Sequence, residues 1–444
     1  MKRVKFESKI LRALIILLAL ALSVTVRSDE VTASKVELSP KEQKMIDWVD
    51  ARRGAIVNEL EAQVAINSGT LNVAGLDEYR TLLAKDLEAL GFTTETVAVE
   101  AIPILTCEGG SLQFADHLIA TRTGSSPNRI LLNGHMDTVF GPDDDFQTMT
   151  VDSDGTIRGP GVLDMKGGIV VMLNALRALK SVGLLEQANI TVLLNSDEEM
   201  GSLTSRTLIE GLASEHDVGL IFEGTSENRM TRARKGLGQV RIKVEGREAH
   251  SGGAHEQGVS ANLALAQQIV AMEALTDYER GVTVNVGVMG GGEKRNTIPG
   301  CADAYVDLRY PEIADGQYLL AEVEAIAAAP YAYNPQFPDL PKTEFWGVLH
   351  RPAKEENAVV DALIADAMGL SALIGEPVQG AMFSGGGTDG SIAQSVGLPT
   401  VDSLGLDGSG AHSSRERTTV DSLIARTKLA AVMIGREIQA QSAR

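Results

Sequence analysis

The sequence predicts an α/β fold: a mostly parallel twisted sheet flanked by helices, with an inserted two-layer α+β domain of the ferredoxin-like kind. Three observations predict it. Several short runs, among them Ile130–Asn133, Ile190–Asn195 and Val218–Phe222, are apolar on consecutive residues, as strands buried on both faces are. Helical stretches separate these runs, and parallel sheets are built from that alternation. Between residues 232 and 350 the texture changes to alternating strands in a β-α-β-β-α-β order.

Taken in order, Ser39-Pro40-Lys41-Glu42 reads as a capping box with Pro at the first helical position, opening a helix to about Ile66. A second helix is expected over Glu78–Leu90, stopped by Gly91. Strands are expected at Thr94–Val99, His117–Thr121 and Ile130–Asn133, followed by an irregular acidic loop, Gly141–Arg158. A helix from Gly167 to about Val182 leads to the Ile190–Asn195 strand, and another helix precedes Val218–Phe222. In the inserted region, strands at Val240–Val244, Val282–Val288, Ala302–Arg309 and Thr343–His350 are joined by helices at about Val259–Leu275 and Gly316–Ala328. The main domain is therefore expected in two parts, residues 39–231 and 351–444, around an insertion at 232–350. There is no internal repeat.

A chain of 444 residues has room for two or three domains, and 44% hydrophobic content suits a soluble globular protein. The first residues stand apart. Lys2, Arg3, Lys5, Lys9 and Arg12 precede an apolar stretch, Ala13–Val26, too short to span a bilayer comfortably. Residues 1–28 read as a secretory signal with an imperfect small-residue cleavage site at Val26 and Ser28, which directs the chain to the periplasm or the exterior. The alternative is an uncleaved membrane anchor. Cleavage removes six positive charges and one negative charge, taking the formal net charge from −19 to −24. Such a surface repels nucleic acid and anionic membrane, so neither is expected as a partner. Cys107 and Cys301 are the only cysteines. Two cysteines make neither a disulfide framework nor a thiolate zinc site, and they are expected free and buried.

The chemistry concentrates where apolar runs end. Glu198 and Glu199 stand side by side after Ile190–Asn195, with no Lys or Arg before Arg206 to offset them. An isolated pair of this kind is most often solvated surface. Here the neighbouring runs end similarly: Ile130–Gly134 in His135-Met136-Asp137, Val218–Phe222 in Glu223. In an open α/β sheet such strand ends gather the ligand. On a strand, His135 and Asp137 face one way, so Asp137 can hold the second imidazole nitrogen while the first binds a cation. Asp164 lies in a glycine-flanked segment, Gly159–Gly168, before a helix, and reads either as a helix cap or as a closely packed carboxylate. His412 follows the glycine-rich loop Gly405–Ala411. Two histidines with Asp164, Glu199 and Glu223 make a sulfur-free ligand set that suits zinc, with cobalt or manganese as substitutes, and two ions rather than one. Glu198 is then left as a general base.

With these residues in place, the chain resembles the di-zinc metallopeptidase family of glutamate carboxypeptidase (carboxypeptidase G type), aminoacylase, acetylornithine deacetylase and succinyl-diaminopimelate desuccinylase. The matching segments are NGHMDTV, GPGVLDMKGG, NSDEEMGS, FEGT, REAHSGG, RNTIPG with DLRY, SGGGTD and GAHSS, in order from Asn133 to His412. The resemblance implies that Asp164 bridges two zinc ions, with His135 and Glu223 on one and Glu199 and His412 on the other. It also implies Glu198 as base, Asp137 behind His135, and a cis Asp164–Met165 peptide. The inserted domain becomes lid and homodimer interface, with His250 helping to stabilise the oxyanion from the partner subunit. Asn296 and Arg309 match positions that grip a substrate α-carboxylate, and Gly387 belongs to the substrate wall. Gly224 departs from the Pro common in glutamate carboxypeptidases. Arg229, Arg232, Arg234 and Lys235 form the strongest basic cluster, and either Arg229 meets a glutamate side chain or the cluster is a hinge. The implied activity is hydrolysis of the amide bond to a C-terminal amino acid, glutamate foremost. The alternatives are an N-acyl amino acid deacylase and a non-catalytic periplasmic binding protein.

Overall fold

The computed structural model describes residues 37–440; the expected signal segment 1–28 and the last residues of the 351–444 part lie outside the described residues. The capping box forms. Ser39 Oγ accepts the Glu42 N–H and the Glu42 carboxylate accepts the Ser39 N–H, opening helix α1 (Pro40–Asp50). The expected helix to Ile66 is two helices, because Arg52 leaves helical conformation (φ −116°, ψ 9°) before α2 (Arg53–Val64). Its guanidinium lies 4.1 Å over the Trp48 ring. Helix α3 (Val73–Ala89) begins earlier than expected because the Asn72 side chain accepts the Gly75 N–H and caps it.

The chain then runs through β1 (Thr93–Val97), β2 (His117–Arg122), β3 (Arg129–His135), α4 (Lys166–Ser181), β4 (Asn189–Asn195), α5 (Arg206–Ser214) and β5 (Val218–Ile221). The inserted region supplies β6 (Gly236–Glu245), α6 (Ala261–Glu273), β7 (Thr283–Gly291), β8 (Cys301–Tyr310), α7 (Ile313–Ala328) and β9 (Lys342–Arg351). Afterwards come α8 (Ala358–Ile374), α9 (Asp389–Ser395), β10 (Thr400–Val401) and α10 (Val420–Gln439).

The central sheet has the order β1-β2-β4-β3-β5-β10. Its β4–β3–β5–β10 portion is parallel, while β1 and β2 add antiparallel pairings at one edge. Ile130, Leu131 and Leu132 are fully buried, as their unbroken apolar run requires. Helix α4 is buried along most of its length. Its first turn sits tight against the sheet ends: a Cβ on Gly168 would lie 1.9 Å from the Phe222 carbonyl oxygen, so only glycine fits. The inserted strands form a separate antiparallel sheet in the order β7-β8-β6-β9, with its own core of Val240, Ile242, Leu265, Val306, Leu308 and Val323 among others. Among the described residues, no helix is long and apolar enough to cross a membrane.

Two expectations are corrected. The acidic loop Gly141–Arg158 is not wholly irregular: Thr150–Val151 and Thr156–Arg158 form short strands, the latter paired with Arg417–Thr419. Strands this short carry no readable alternation. The cysteines are neither free nor buried. Cys107, in an exposed hairpin turn, is disulfide-bonded to Cys301 at the start of β8, with Cα atoms 5.9 Å apart. The Cys107 N–H also donates to Asp303 at 3.0 Å. The bond ties the main domain's hairpin to the inserted sheet, a proximity that exists only once both have folded.

Candidate metal centre

Parallel neighbours present their carboxyl ends together, and β3, β4 and β5 are such neighbours. Their ends bring His135, the Glu198–Glu199 pair and Glu223 into one basin. The pair does not extend the strand. It opens a short 3-10 turn, Glu198–Met200, held by Asp137, whose carboxylate accepts the Glu198 N–H at 3.2 Å and the Glu199 N–H at 3.1 Å. Asp137 is fully buried and also accepts the Thr70 hydroxyl at 2.9 Å. Behind His135, the backbone carbonyl of Asp137 lies 2.9 Å from Nδ1 and its carboxylate 3.3 Å. One residue thus fixes both the imidazole and the glutamate turn.

His135 Nε2 faces the basin, 3.1 Å from Asp164 Oδ1, 3.5 Å from Glu223 Oε1 and 4.0 Å from Glu198 Oε2. Asp164 reaches the other histidine with its second oxygen: Oδ2 is 3.2 Å from His412 Nε2. His412 Nε2 is also 3.0 Å from Glu199 Oε2. The Asp164–Met165 peptide is cis, and His412 adopts a left-handed backbone (φ 61°). The chain of contacts Glu223–His135–Asp164–His412–Glu199 is the ligand order the resemblance implies.

The electrostatics point the same way. Burial pushes Glu223 up to about 8, with Asp164 adding repulsion against the relief given by His135. Burial and the Asp164 charge likewise hold Glu199 well above the ordinary carboxylate range. Hydrogen bonds to Asp164 and Glu199 push His412 up to about 11. Burial would lower His135, but Glu223 and its other carboxylate partners outweigh it and raise it well above normal. Without a metal, protons must be retained to offset crowded carboxylates. Glu199 Oε1 is buried with no hydrogen-bond partner among the described residues, a costly arrangement unless a cation takes it. Ligand atoms of His135, Asp164 and Glu199 lie within 4.8 Å of one another, as do those of His135, Glu198 and Glu223. The residues therefore fit a divalent metal of the zinc type.

A cavity of about 790 Å³ opens beside the basin. Arg309, Gly387, Gly224 and His412 line it, together with Arg234 and Arg351. Arg309 Nε donates to Asp307 at 2.7 Å. Gly387 has no room for a side chain, since a Cβ would meet Arg351 at 2.8 Å. Three predicted residues lie elsewhere. Arg229 does not line the cavity and pairs with Glu227 at 3.3 Å. His250 is exposed at the end of a short strand of the inserted domain, Ala249–His250, paired with Thr297–Ile298, its Nδ1 accepting the Gly252 and Gly253 N–H groups at 3.1 and 3.0 Å. Asn296 is exposed beside it, its carbonyl accepting the Ser251 N–H. Neither lines the cavity of its own chain.

Two buried residues escaped the sequence reading. Arg351, ending β9, bonds the Glu198 carboxylate and backbone carbonyl and the Ser202 hydroxyl, with Asp389 at 3.6 Å. Glu416 accepts N–H groups of Gly161, Leu163 and Asp164 at 3.2, 2.7 and 3.0 Å, holding the Asp164 loop in place. The rest of the basic cluster is engaged within the chain: Arg234, though it lines the cavity, is paired with Asp402, Arg232 with Asp361, and Lys235 donates to the Gly281 carbonyl.

A basin of histidines and carboxylates at the ends of a parallel sheet, with a spare glutamate beside it, defines a metal-dependent hydrolase. Residues 131–436 match the family described as Peptidase family M20/M25/M40, and the chain belongs to that family. It is similar to carboxypeptidase G2 of Pseudomonas sp. (strain RS-16), 29% identical over 389 residues, covering 86% of this chain and 88% of that protein. Acetylornithine deacetylase of Proteus mirabilis (strain HI4320) is 31% identical over 245 residues, 51% of this chain and 59% of that one. Among solved structures, an M20 family metallo-carboxypeptidase from Sulfolobus solfataricus shares the fold with a TM-score of 0.68 at 17% identity, covering 87% of this chain and 99% of its own. A tripeptidase from Staphylococcus aureus does so at 0.66 and 22%, with the same coverage.

Proposed function

We propose that this hydrolase cleaves the amide bond to a C-terminal amino acid bearing a free α-carboxylate, with glutamate as the leading choice. The observation that carries the reading is the position of Arg309 in the same cavity as Asp164, Glu223, Glu199, His412 and Glu198. A planar guanidinium suits bidentate capture of a carboxylate.

His135, Asp164 and Glu223 would hold one ion and Asp164, Glu199 and His412 a second, with zinc favoured by the ligand chemistry. When bound, zinc would polarise the scissile carbonyl and lower the pKa of a neighbouring water. The chain's own groups divide the remaining work. Glu198 is clamped by Arg351 through one carboxylate oxygen, leaving Oε2 turned toward His135 at 4.0 Å. That oxygen accepts the proton of the attacking water and returns it to the leaving nitrogen. Asp137 keeps His135 and the Glu198 turn in register. Arg309 orients the substrate carboxylate, and Gly387 in the same cavity wall leaves room for the Arg351 stem.

His250 and Asn296 act from a partner subunit in this reading, His250 on the oxyanion and Asn296 on the carboxylate. That neither lines the cavity of its own chain supports it. So do the exposed apolar residues Leu263 and Val270 on α6 and Val288 and Met289 on β7, an edge strand open to pairing. Residues 1–28 serve for export, or alternatively as an anchor, and a disulfide is a bond that persists in oxidising compartments.

A deacylase of N-acyl amino acids would use the same residues, and the similarity to acetylornithine deacetylase favours keeping that second reading. A panel of Glu-terminated peptides and N-acyl amino acids, assayed with added zinc, separates the two. The expected result is release of the terminal amino acid, fastest for glutamate, and none from the C-terminal amides. Equal turnover of the amides would refute carboxylate recognition.

A further inference from the structure

His412 lines two cavities. One is the 790 Å³ cavity containing Arg309; the other, of about 560 Å³, is lined by Val139, Phe140, Phe146, Asp144, Asp145 and Ser413 among others. We propose that this second cavity receives the acyl half of the substrate and selects acyl groups with an aromatic body and a cationic far end. This rests on the reaction proposed above.

The geometry follows from the substrate having two halves. If the α-carboxylate lies toward Arg309 and the carbonyl lies at the basin, the acyl half must leave on another side of the basin. His412 stands at the boundary between the two spaces, so the second cavity is the adjoining space. Its wall suits a flat apolar group. Phe140 and Phe146 pack edge to face, with centroids 5.2 Å apart and planes at 65°, and Val139 is 42% exposed two residues after Asp137. An isolated apolar side chain that accessible beside a buried polar site is available for contact with a ligand.

The wall is also built to hold its shape. The Asn67 amide donates to the carbonyls of Phe140 and Gly141 at 3.1 Å each and to Gln147 at 2.8 Å. Asp144 Oδ1 accepts the Phe146 N–H at 2.7 Å, which fixes the aromatic ring's backbone. Charge then sets the sign of the ligand. Asp144 and Asp145 are exposed, and among the described residues no Lys or Arg lines this cavity, in contrast to the arginines of the other. An anionic acyl group meets uncompensated repulsion there and a cationic one meets attraction.

Three benzoyl substrates that differ at the para position test this: N-(4-aminomethylbenzoyl)glutamate, N-benzoylglutamate and N-(4-carboxybenzoyl)glutamate, with N-acetylglutamate as the small reference. The zinc-loaded enzyme should rank them cationic, neutral, anionic in kcat/KM, with roughly a tenfold span between the ends, carried by KM and compressed by added salt. The D144N/D145N double variant keeps the turn, since Asn retains the acceptor for the Phe146 N–H, and should reduce the span to about twofold. Phe146→Ala should lower kcat/KM for N-benzoylglutamate roughly tenfold while changing N-acetylglutamate little. A ranking untouched by D144N/D145N, or an equal effect of Phe146→Ala on benzoyl and acetyl substrates, overturns this assignment while leaving the amidase reading intact. Hydrolysis of none of the four overturns both.

Discussion

The ends of the central strands and the loops of the inserted sheet hold their polar residues in opposite ways. At the strand ends, His135, Asp137, Glu198 and Glu223 are buried, and Asp137 alone organises an imidazole and two backbone N–H groups. On the inserted domain, His250 and Asn296 stand exposed, the His250 ring accepting the Gly252 and Gly253 N–H groups and the Asn296 carbonyl the Ser251 N–H. The first region is preorganised by its own chain, and preorganised groups lose little on reaction. The second lacks that support from its own chain. Residues assigned to one reaction but buried on one side and exposed on the other are what the proposed partner subunit would bring together.

The sharpest way to break that comparison is complementation. His250→Ala and Arg309→Ala should each be strongly impaired as pure proteins, His250→Ala by roughly 10²-fold in kcat for loss of an oxyanion donor. Mixed in equal amounts after subunit exchange, they should regain about a quarter of wild-type activity, because half the dimers then carry one intact site. No recovery would place His250 outside a shared site.

The disulfide joins the two regions and encloses a loop of 194 residues in sequence separation. In the loop-entropy picture a C107S/C301S variant loses at most about 5 kcal/mol of stability, with the inserted sheet released from the hairpin. Denaturant unfolding measures the loss, and hydrogen exchange should locate the new mobility in residues 101–112 and at the start of β8. An unchanged midpoint would mean that the two parts are held by their other contacts alone.

The smallest effect concerns pH. Glu223 rises from 4.5 to about 8 and His412 from 6.5 to about 11 on folding without metal. Both folded-state values lie above the unfolded ones, so the metal-free protein binds more protons than the unfolded chain does. The Glu223 contribution is fully present below pH 4.5 and lost as pH rises through about 8; that of His412 is present below 6.5 and lost through about 11. Metal binding needs the same groups deprotonated. The Tm difference between zinc-loaded and EDTA-treated protein should therefore grow from pH 6 to pH 8.5; a constant difference would mean these groups do not take the metal.

Much of this was legible before any coordinates. Unbroken apolar runs ending in acid or histidine foretold both the parallel strands and the basin, because strand ends in such sheets point ligands one way. What stayed hidden was long-range and polar. Glu416 meets the Asp164 loop across 252 residues of sequence, and Arg351 meets Glu198 across 153, with no periodicity to announce either. The Cys107–Cys301 bond failed to show for the same reason. Arg229 looked like a substrate ligand because it headed a basic cluster, yet Asp361 and Asp402 satisfy its neighbours and Glu227 pairs with it. The helix break at Arg52 has no Pro or Gly at the break itself, and Gly54 lies inside the first turn of the helix that follows.

The central claim is that adjacent glutamates divide into a metal ligand and a base. Glu198→Gln tests it most directly, with metal content and turnover measured on the same sample. The account predicts an unchanged metal complement of about two zinc ions per chain and a fall in kcat of roughly 10²–10⁴. Full metal with retained turnover, or loss of metal with Glu199 intact, would contradict it.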